Sequence, residues 1–458
     1  MTFNEYCAAR RGKTFAVLGF GVSNRPLVRM LLDAGLNITV RDKSERGKLD
    51  ASADDYESRG ARFICGEDYL ARLDEDVIFR TPGLMPRTAE IAAAVARGAE
   101  LTSEMELFFE VCPCKIIAVT GSDGKTTTTT LISEFLRAEG KRVWLGGNIG
   151  TPLLEHAGEM SPNDVAVLEL SSFQLMTFTR SPDIAVVTNV TPNHLDLHSD
   201  LDEYIAAKTR IFAYQNADAR LVLNADNAVT RGFADIARAP ITYFSRQSEP
   251  RGGVFTRNGT IYAGDPAEPI LDTREIRIHG IHNVENYCAA IAATLGQVSA
   301  ETVRRVAREF SGVANRIEFV REFENVRYYN DSASSSPTRT IAGLRSFGQK
   351  IILIAGGKDK GIAYDEIGSE IIKHVAALVI TGMTADKIRA SVENCAEYSG
   401  SPAIYEEPTF EGAVAKAREI ARDGDIVMLS PASTSFDRFR NFEERGEYFK
   451  SIVWAMDN

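Results

Sequence analysis

Short apolar runs that stop abruptly at glycine or at a polar residue recur along the whole chain: FAVLGFG, DVIFRTPG, KIIAVTG, DVAVLEL, DIAVVTNV, ARLVLNAD, KIILIAGG, ALVITG and DIVMLSPAS. Each is too short for a buried helix and too uniformly apolar for a strand with one wet face. Amphipathic stretches separate them. Strands that are apolar on both faces belong in a parallel sheet covered by helices on both sides. The pattern therefore predicts an α/β protein. In open parallel sheets, ligands bind beyond the carboxyl ends of the strands. The residues directly after the runs are the ones to read for chemistry: Gly121–Thr126, Glu169, Thr191–His194, Lys358–Lys360 and Ser430–Ser435.

The 458 residues suggest about three domains at roughly 150 residues each. The first segment contains KTFAVLGFGVSNRPLVRMLLDAGLNITVRDKS, which reads as strand, glycine turn, helix, strand. Gly19 and Gly21 fit a GxGxxG nucleotide turn, the third position is Asn24, and Asp42 stands where a ribose-binding acid would. A glycine turn of any α/β domain is the other reading. The net charge of −11 speaks against a general nucleic-acid binder, which shows a basic surface. The six cysteines are scattered, as in a protein with reduced thiols. Cys112-Pro113-Cys114 is the one close pair, but it is not CxxC and no second pair completes a zinc site. The N-terminus has no long apolar stretch of a signal peptide, and no run reaches the ~18 apolar residues of a membrane span.

The segment AVTGSDGKTTTTT, residues 118–130, lies between a strand-like and a helix-like run. The common phosphate loop, GxxxxGK[ST], wants glycine where this chain has Val119. The physical needs of such a loop are met all the same. Gly121 and Gly124 allow close backbone approach, the following helix offers free N–H groups, Lys125 can reach terminal phosphates, and the Thr126 hydroxyl can ligate Mg²⁺. Glu169, ending an apolar strand, can hold a further Mg²⁺ position. Taken singly, His194 reads as structural and Lys208 as a solvated lysine.

In order, TGSDGKTT, GGNIG, LELSSFQL, TPNHLDLH, YIAAKTRIF and GIHNVEN resemble the motifs of the Mur ligase family, ATP-dependent enzymes that build the peptide of bacterial cell-wall precursors. That family's loop lacks the first glycine, so Val119 fits it. LELSSFQL and LSPASTSFDRFRNFEERGEYF are similar to the member that adds D-glutamate. The resemblance implies three domains: an N-terminal Rossmann-like UDP-binding domain (1–113), a central P-loop-type ATPase (114–312) and a C-terminal Rossmann-like amino-acid domain (313–458), with hinge closure between them. It implies that UDP-N-acetylmuramoyl-L-alanine, D-glutamate and ATP are the substrates of a cytoplasmic monomer, and that an acyl phosphate is the intermediate.

The same resemblance implies the site. Gly121, Ser122, Asp123, Gly124, Lys125, Thr126 and Thr127 would hold the ATP phosphates, and Asn283, Asn286, Arg316 and Asp331 would surround adenine, ribose and phosphate. Val22, Ser23, Asp42, Gly83 and Asn148 would contact the UDP-substrate; Ser335, Lys360, Ser435 and Phe442 would contact D-glutamate. Thr126 and Glu169 would ligate one Mg²⁺, and His194 a second. Lys208 would carry a CO₂-derived carbamate that ligates metal. Lys125, His194, Lys208 and Lys360 would be the catalytic residues. Two positions depart from the family: Asn315 stands for its usual histidine, and Ala333, in NDSASSS, for its frequent lysine. A ligase adding another amino acid, or a non-catalytic nucleotide-binding protein of the same fold, remains open at this level.

Overall fold

The structure is a computed structural model and describes residues 1–191, 198–278, 280–359 and 362–457. The apolar runs become strands, and the strands form three sheets. The first sheet comprises β1 (Thr14–Leu18), β2 (Asn37–Asp42), β3 (Arg62–Cys65), β4 (Val77–Arg80) and β5 (Glu100–Thr102). Its order is β3-β2-β1-β4-β5, and all four pairings are parallel.

The second sheet comprises β6 (Lys115–Thr120), β7 (Val143–Gly147), β8 (Val165–Glu169), β9 (Ile184–Val187), β10 (Arg220–Asn224), β11 (Ile241–Ser245), β12 (Val254–Arg257), β13 (Thr260–Ala263) and β14 (Glu268–Asp272). Its order is β14-β13-β12-β11-β10-β9-β6-β8-β7. The strands are parallel from β7 to β12 and end in an antiparallel meander. The apolar pattern alone did not reveal β12 to β14, because an antiparallel edge needs only one buried face.

The third sheet comprises β15 (Glu318–Phe323), β16 (Val326–Asn330), β17 (Ile351–Ala355), β18 (Val375–Ile380), β19 (Ala403–Glu406) and β20 (Ile426–Leu429), in the order β15-β16-β20-β17-β18-β19. Only β15 runs antiparallel to its neighbour.

The chain divides into two compact units: Met1–Glu275 with His282–Ala307, and Ile276–Ile281 with Arg308–Asn458. The first unit holds both the first and second sheets because one apolar cluster runs through them. The helix Glu104–Val111 carries Leu107, Phe108 and Phe109 into that cluster, where they join Leu154 and Phe178. The Phe109 and Phe178 rings meet edge to face at 5.0 Å. Burying each such ring is worth about 1.5–3 kcal/mol. Among the described residues, no helix is long and apolar enough to cross a membrane.

Candidate active site

The second sheet puts β6 in its interior, between β9 and β8, and the loop that leaves β6 is Gly121–Gly124. Gly121 has φ +149° and Gly124 has φ +77°. A Cβ on Gly121 would overlap the Thr188 hydroxyl, and one on Gly124 would overlap the Asn286 amide oxygen. Only glycine fits these two places. The helix Lys125–Ala138 starts directly after Gly124 with no side chain capping its first turn. The N–H groups of a helix's first turn suit an anion.

Side chains fix the loop from several sides. Ser122 Oγ donates to Thr191 O and accepts from Thr191 N, both at 2.9 Å. Asp123 N–H donates to Asn189 Oδ1 at 2.9 Å, and Thr188 Oγ1 donates to Asp123 O at 2.6 Å. Asn286, on the helix Ile281–Ala293, accepts from Thr128 Oγ1 at 3.4 Å and donates to Asn283 Oδ1 at 3.1 Å. The structure thus brings Asn283 and Asn286 to the phosphate loop.

Two lysine side chains converge on one carbonyl. Lys125 Nζ donates to Gly121 O at 3.0 Å and to Ser122 O at 2.9 Å. Lys208 Nζ donates to the same Gly121 O at 2.8 Å. Lys208 is 1% exposed, so it is not the solvated lysine that its helix position alone suggests. Burial first, and then the neighbouring Lys125, hold its amine well below the usual lysine range. Tyr204, one helical turn before it, is equally buried. Its ring face lies 4.3 Å from Lys208 Nζ, and its hydroxyl is 2.9 Å from Ser122 Oγ. Tyr204 therefore ties the buried lysine to the loop. Sequence reading missed it, although the i, i+4 spacing to Lys208 was there to be seen.

Glu169 ends β8 and is 1% exposed. Its Oε1 accepts from Asn148 Nδ2 at 2.7 Å, while its buried Oε2 has no hydrogen-bond partner among the described residues. A buried carboxylate oxygen left without a partner fits a Mg²⁺ ligand. No group of three His, Cys, Asp or Glu side chains among the described residues could hold a metal alone. His194 and Lys360 lie outside the described residues.

Near this site, His198 is buried with its ring stacked on Phe173 at 4.9 Å. Its Nε2 is 3.0 Å from Ser172 Oγ, and its Nδ1 is 3.3 Å from Glu203 Oε2. Burial lowers its affinity for a proton, against the pull of Glu203.

In the first sheet, the turn after β1 carries Val22 and Ser23, Asp42 ends β2, and Gly83 follows β4. These strands are adjacent, so their carboxyl ends gather all four residues. Asn24 takes the place of the third glycine for a visible reason. It is buried, and its Nδ2 donates to Leu18 O at 3.2 Å and Gly19 O at 2.9 Å, bracing the turn. The Asp42 carboxylate accepts from Phe20 N and Ser44 N, each at 2.7 Å. The buried Arg80 guanidinium donates to Thr81 O, Pro82 O, Leu84 O and Phe173 O. It holds the loop that carries Gly83.

In the second unit, Asp331 follows β16. Burial pushes its carboxyl up to about 6, and it accepts from Ser430 Oγ at 2.7 Å and Ile317 N at 3.2 Å. It thereby anchors the exposed Arg316 segment. The departure at Asn315 has a local cause. Its φ is +63°, which asparagine tolerates better than most residues. Its Oδ1 accepts from Asn330 Nδ2 at 2.9 Å and packs against Gly446. Ala333 is buried, and Arg339 Nη1 reaches its carbonyl at 3.3 Å. Arg445, fully buried, donates to Ser332 Oγ, Ser332 O and Ser433 O. It links the loop of Ser335 to the loop of Ser435. Ser435 is buried and Phe442 partly exposed. Lys358 N–H donates to Thr434 O at 2.8 Å, and the two residues form a β-bridge. A cavity of about 660 Å³ lined by Lys358, Met383, Glu407, Phe436 and Arg438 opens beside that pair. Ser335, Ser435 and Phe442 do not line it.

Comparison with known proteins places this geometry. The Mur ligase middle domain matches residues 119–294, and the Mur ligase glutamate ligase domain matches residues 315–433. A UDP-N-acetylmuramoylalanine–D-glutamate ligase of Ruminiclostridium cellulolyticum is 49% identical over 97% of both chains. The enzymes of that name from Acetivibrio thermocellus and Clostridium novyi are 49% and 45% identical over 99% of both chains. The chain belongs to the Mur ligase family. Among solved Mur ligases, the UDP-N-acetylmuramate–alanine ligase of Thermotoga maritima aligns with a TM-score of 0.56 at 16% identity, over 97% of this chain and 99% of that one. A pseudomurein peptide ligase of Methanothermus fervidus aligns with a TM-score of 0.54 at 17% identity, over 97% and 100%. At these identities the match shows the Mur ligase fold.

Proposed function

We propose that the chain joins D-glutamate to the L-alanine carboxyl of UDP-N-acetylmuramoyl-L-alanine, at the expense of ATP, in peptidoglycan precursor synthesis. A carboxylate resists attack by an amine until one of its oxygens becomes a leaving group. Phosphoryl transfer from ATP makes an acyl phosphate, and the D-glutamate amine then displaces phosphate. The observation that carries the reading is the cluster at Gly121. An uncapped helix N-terminus, Lys125 and Lys208 share it, and Glu169, with its partnerless oxygen, ends the neighbouring strand. The choice of D-glutamate rests on relatives of that name at 43–49% identity.

Within this reading, the loop Gly121–Thr127 grips the phosphates, and Lys125 offsets charge that spreads onto the transferring oxygens. Thr126 and Glu169 hold one Mg²⁺ and His194 a second; when bound, the metal screens phosphate charge and aligns the reacting oxygens. Lys208 is suited to carry a carbamate, because only a neutral amine attacks CO₂ and this amine is held toward its neutral form. Val22, Ser23, Asp42, Gly83 and Asn148 serve the UDP-substrate. Asn283, Asn286, Arg316 and Asp331 serve the nucleotide. Ser335, Lys360, Ser435 and Phe442 serve D-glutamate. Arg339 supplies a cation beside position 333, where the family often has lysine. The domain limits 1–113, 114–312 and 313–458, a monomeric state and a cytoplasmic location belong to the same proposal.

The test is phosphate release from Mg²⁺-ATP with UDP-N-acetylmuramoyl-L-alanine, offering D-glutamate, L-glutamate, L-lysine and meso-diaminopimelate separately. Release with D-glutamate alone is expected. Release with another amine would move the specificity, and no release with any would overturn the enzymatic reading.

A further inference from the structure

Cys112 and Cys114 flank Pro113 where the helix Glu104–Val111 gives way to β6. Cys112 leaves the helix with φ −64° and ψ 121°, the extended conformation that a following proline imposes. In an extended chain, residues two apart point to the same side. The two sulfurs accordingly lie 3.5 Å apart, in thiol–thiol hydrogen-bond contact. Cys112 is half-buried and Cys114 buried. Cys7, Cys65, Cys288 and Cys395 are free thiols as well, and no contact between any two of them is seen among the described residues.

We propose that Cys112 and Cys114 form a thiol–disulfide exchange site whose co-reactant is a low-molecular-weight disulfide of the glutathione type. The half-buried Cys112 is the sulfur that a soluble disulfide can reach. The hydrogen bond with Cys114 and then burial push the Cys112 thiol up, so the attacking species is the small deprotonated fraction of Cys112; it attacks one sulfur of the reagent, forming a mixed disulfide and releasing one thiol that takes up the proton. Cys114 then attacks Cys112 Sγ, giving the Cys112–Cys114 bond and releasing the second thiol with the second proton. Two protein thiols are oxidised and one reagent disulfide is reduced. Bond formation needs the sulfurs to close from 3.5 Å to about 2.05 Å, the S–S bond length. Side-chain rotation and small backbone adjustment supply that movement. Closing so short a loop removes little chain entropy, so the bond should be readily reversed by dithiothreitol.

The experiment equilibrates the reduced full-length protein with oxidised glutathione, alkylates it in denaturant, and maps peptides by mass. The expected result is two fewer alkylated thiols than the six of the reduced chain, with both losses in one peptide spanning residues 112 and 114, and full recovery after dithiothreitol. C112S and C114S should instead retain a glutathionyl adduct or stay fully reduced. Six alkylated thiols in the wild-type protein, a persistent mixed disulfide there, or a bridge involving another cysteine would overturn the proposal. The wild-type map does not depend on whether the serine variants fold.

Discussion

Asn148→Ala should weaken Mg²⁺ use while leaving the backbone of the site in place. In the wild-type protein, Asn148 Nδ2 donates to Glu169 Oε1 at 2.7 Å, and this is the bond that orients the carboxylate. The backbone bond from Asn148 N to Glu169 O, at 2.8 Å, survives the substitution. What disappears is one hydrogen bond to a charged group, worth about 1.5–3 kcal/mol. A lost partner of a metal-ligating side chain costs roughly ten- to a hundredfold in metal affinity or activity. The assay is phosphate release titrated with Mg²⁺ at saturating ATP and substrates. The half-saturating Mg²⁺ should rise by that factor, with KM for the UDP-substrate moving less. If the Mg²⁺ dependence stays put and KM for the UDP-substrate rises instead, Asn148 acts only on the sugar-phosphate and its orientation of Glu169 is irrelevant.

Three more outcomes follow from other contacts. Tyr204→Phe removes the hydroxyl bond to Ser122 but keeps the ring beside Lys208; a loss of about 1 kcal/mol should lower kcat/KM for ATP several-fold, and Tyr204→Leu should be clearly worse. Equal losses in the two variants would exclude a separate role for the ring. The Glu104 carboxyl is pushed up to about 7 by burial, above its unfolded value. Its stabilising contribution is therefore complete below about pH 4.3 and is lost as pH rises through about 7. Glu104→Gln should gain up to about 3 kcal/mol on the wild type above that range, and urea melts near pH 5 and near pH 8 should show the gap widening with pH. Gly124→Ala forces a side chain into left-handed backbone, at about 1–2 kcal/mol, and displaces Asn286. ATP affinity should fall more than Gly158→Ala lowers it, since Gly158 has open space around it.

The parallel cores of the sheets were legible because a strand buried on both faces must be apolar throughout. KIIAVT, DVAVLEL and DIVML announced β6, β8 and β20, and with them the loops that carry the chemistry. The meander β12 to β14 was not legible, since its one-sided burial leaves polar residues in VFTR and EPILD. Gly121, Gly124 and Lys125 could be picked out because a phosphate loop needs those residue types at that spacing. Lys208 could be named only through the motif around it. Its burial, its bond to Gly121 and the supporting Tyr204 arise from packing between elements distant in sequence. Arg80 and Arg445 escaped for the same reason: in sequence they are ordinary charges, and only the folded chain shows them holding loop carbonyls.

The central claim is that the phosphate loop activates a carboxylate by phosphorylating it. The most direct measurement uses UDP-N-acetylmuramoyl-L-alanine with heavy oxygen in its alanine carboxylate, turned over with Mg²⁺-ATP and D-glutamate, and follows the label into phosphate by mass spectrometry. An acyl phosphate intermediate requires one labelled oxygen to leave with each phosphate. Phosphate released without label, while the amide product forms, would contradict the account.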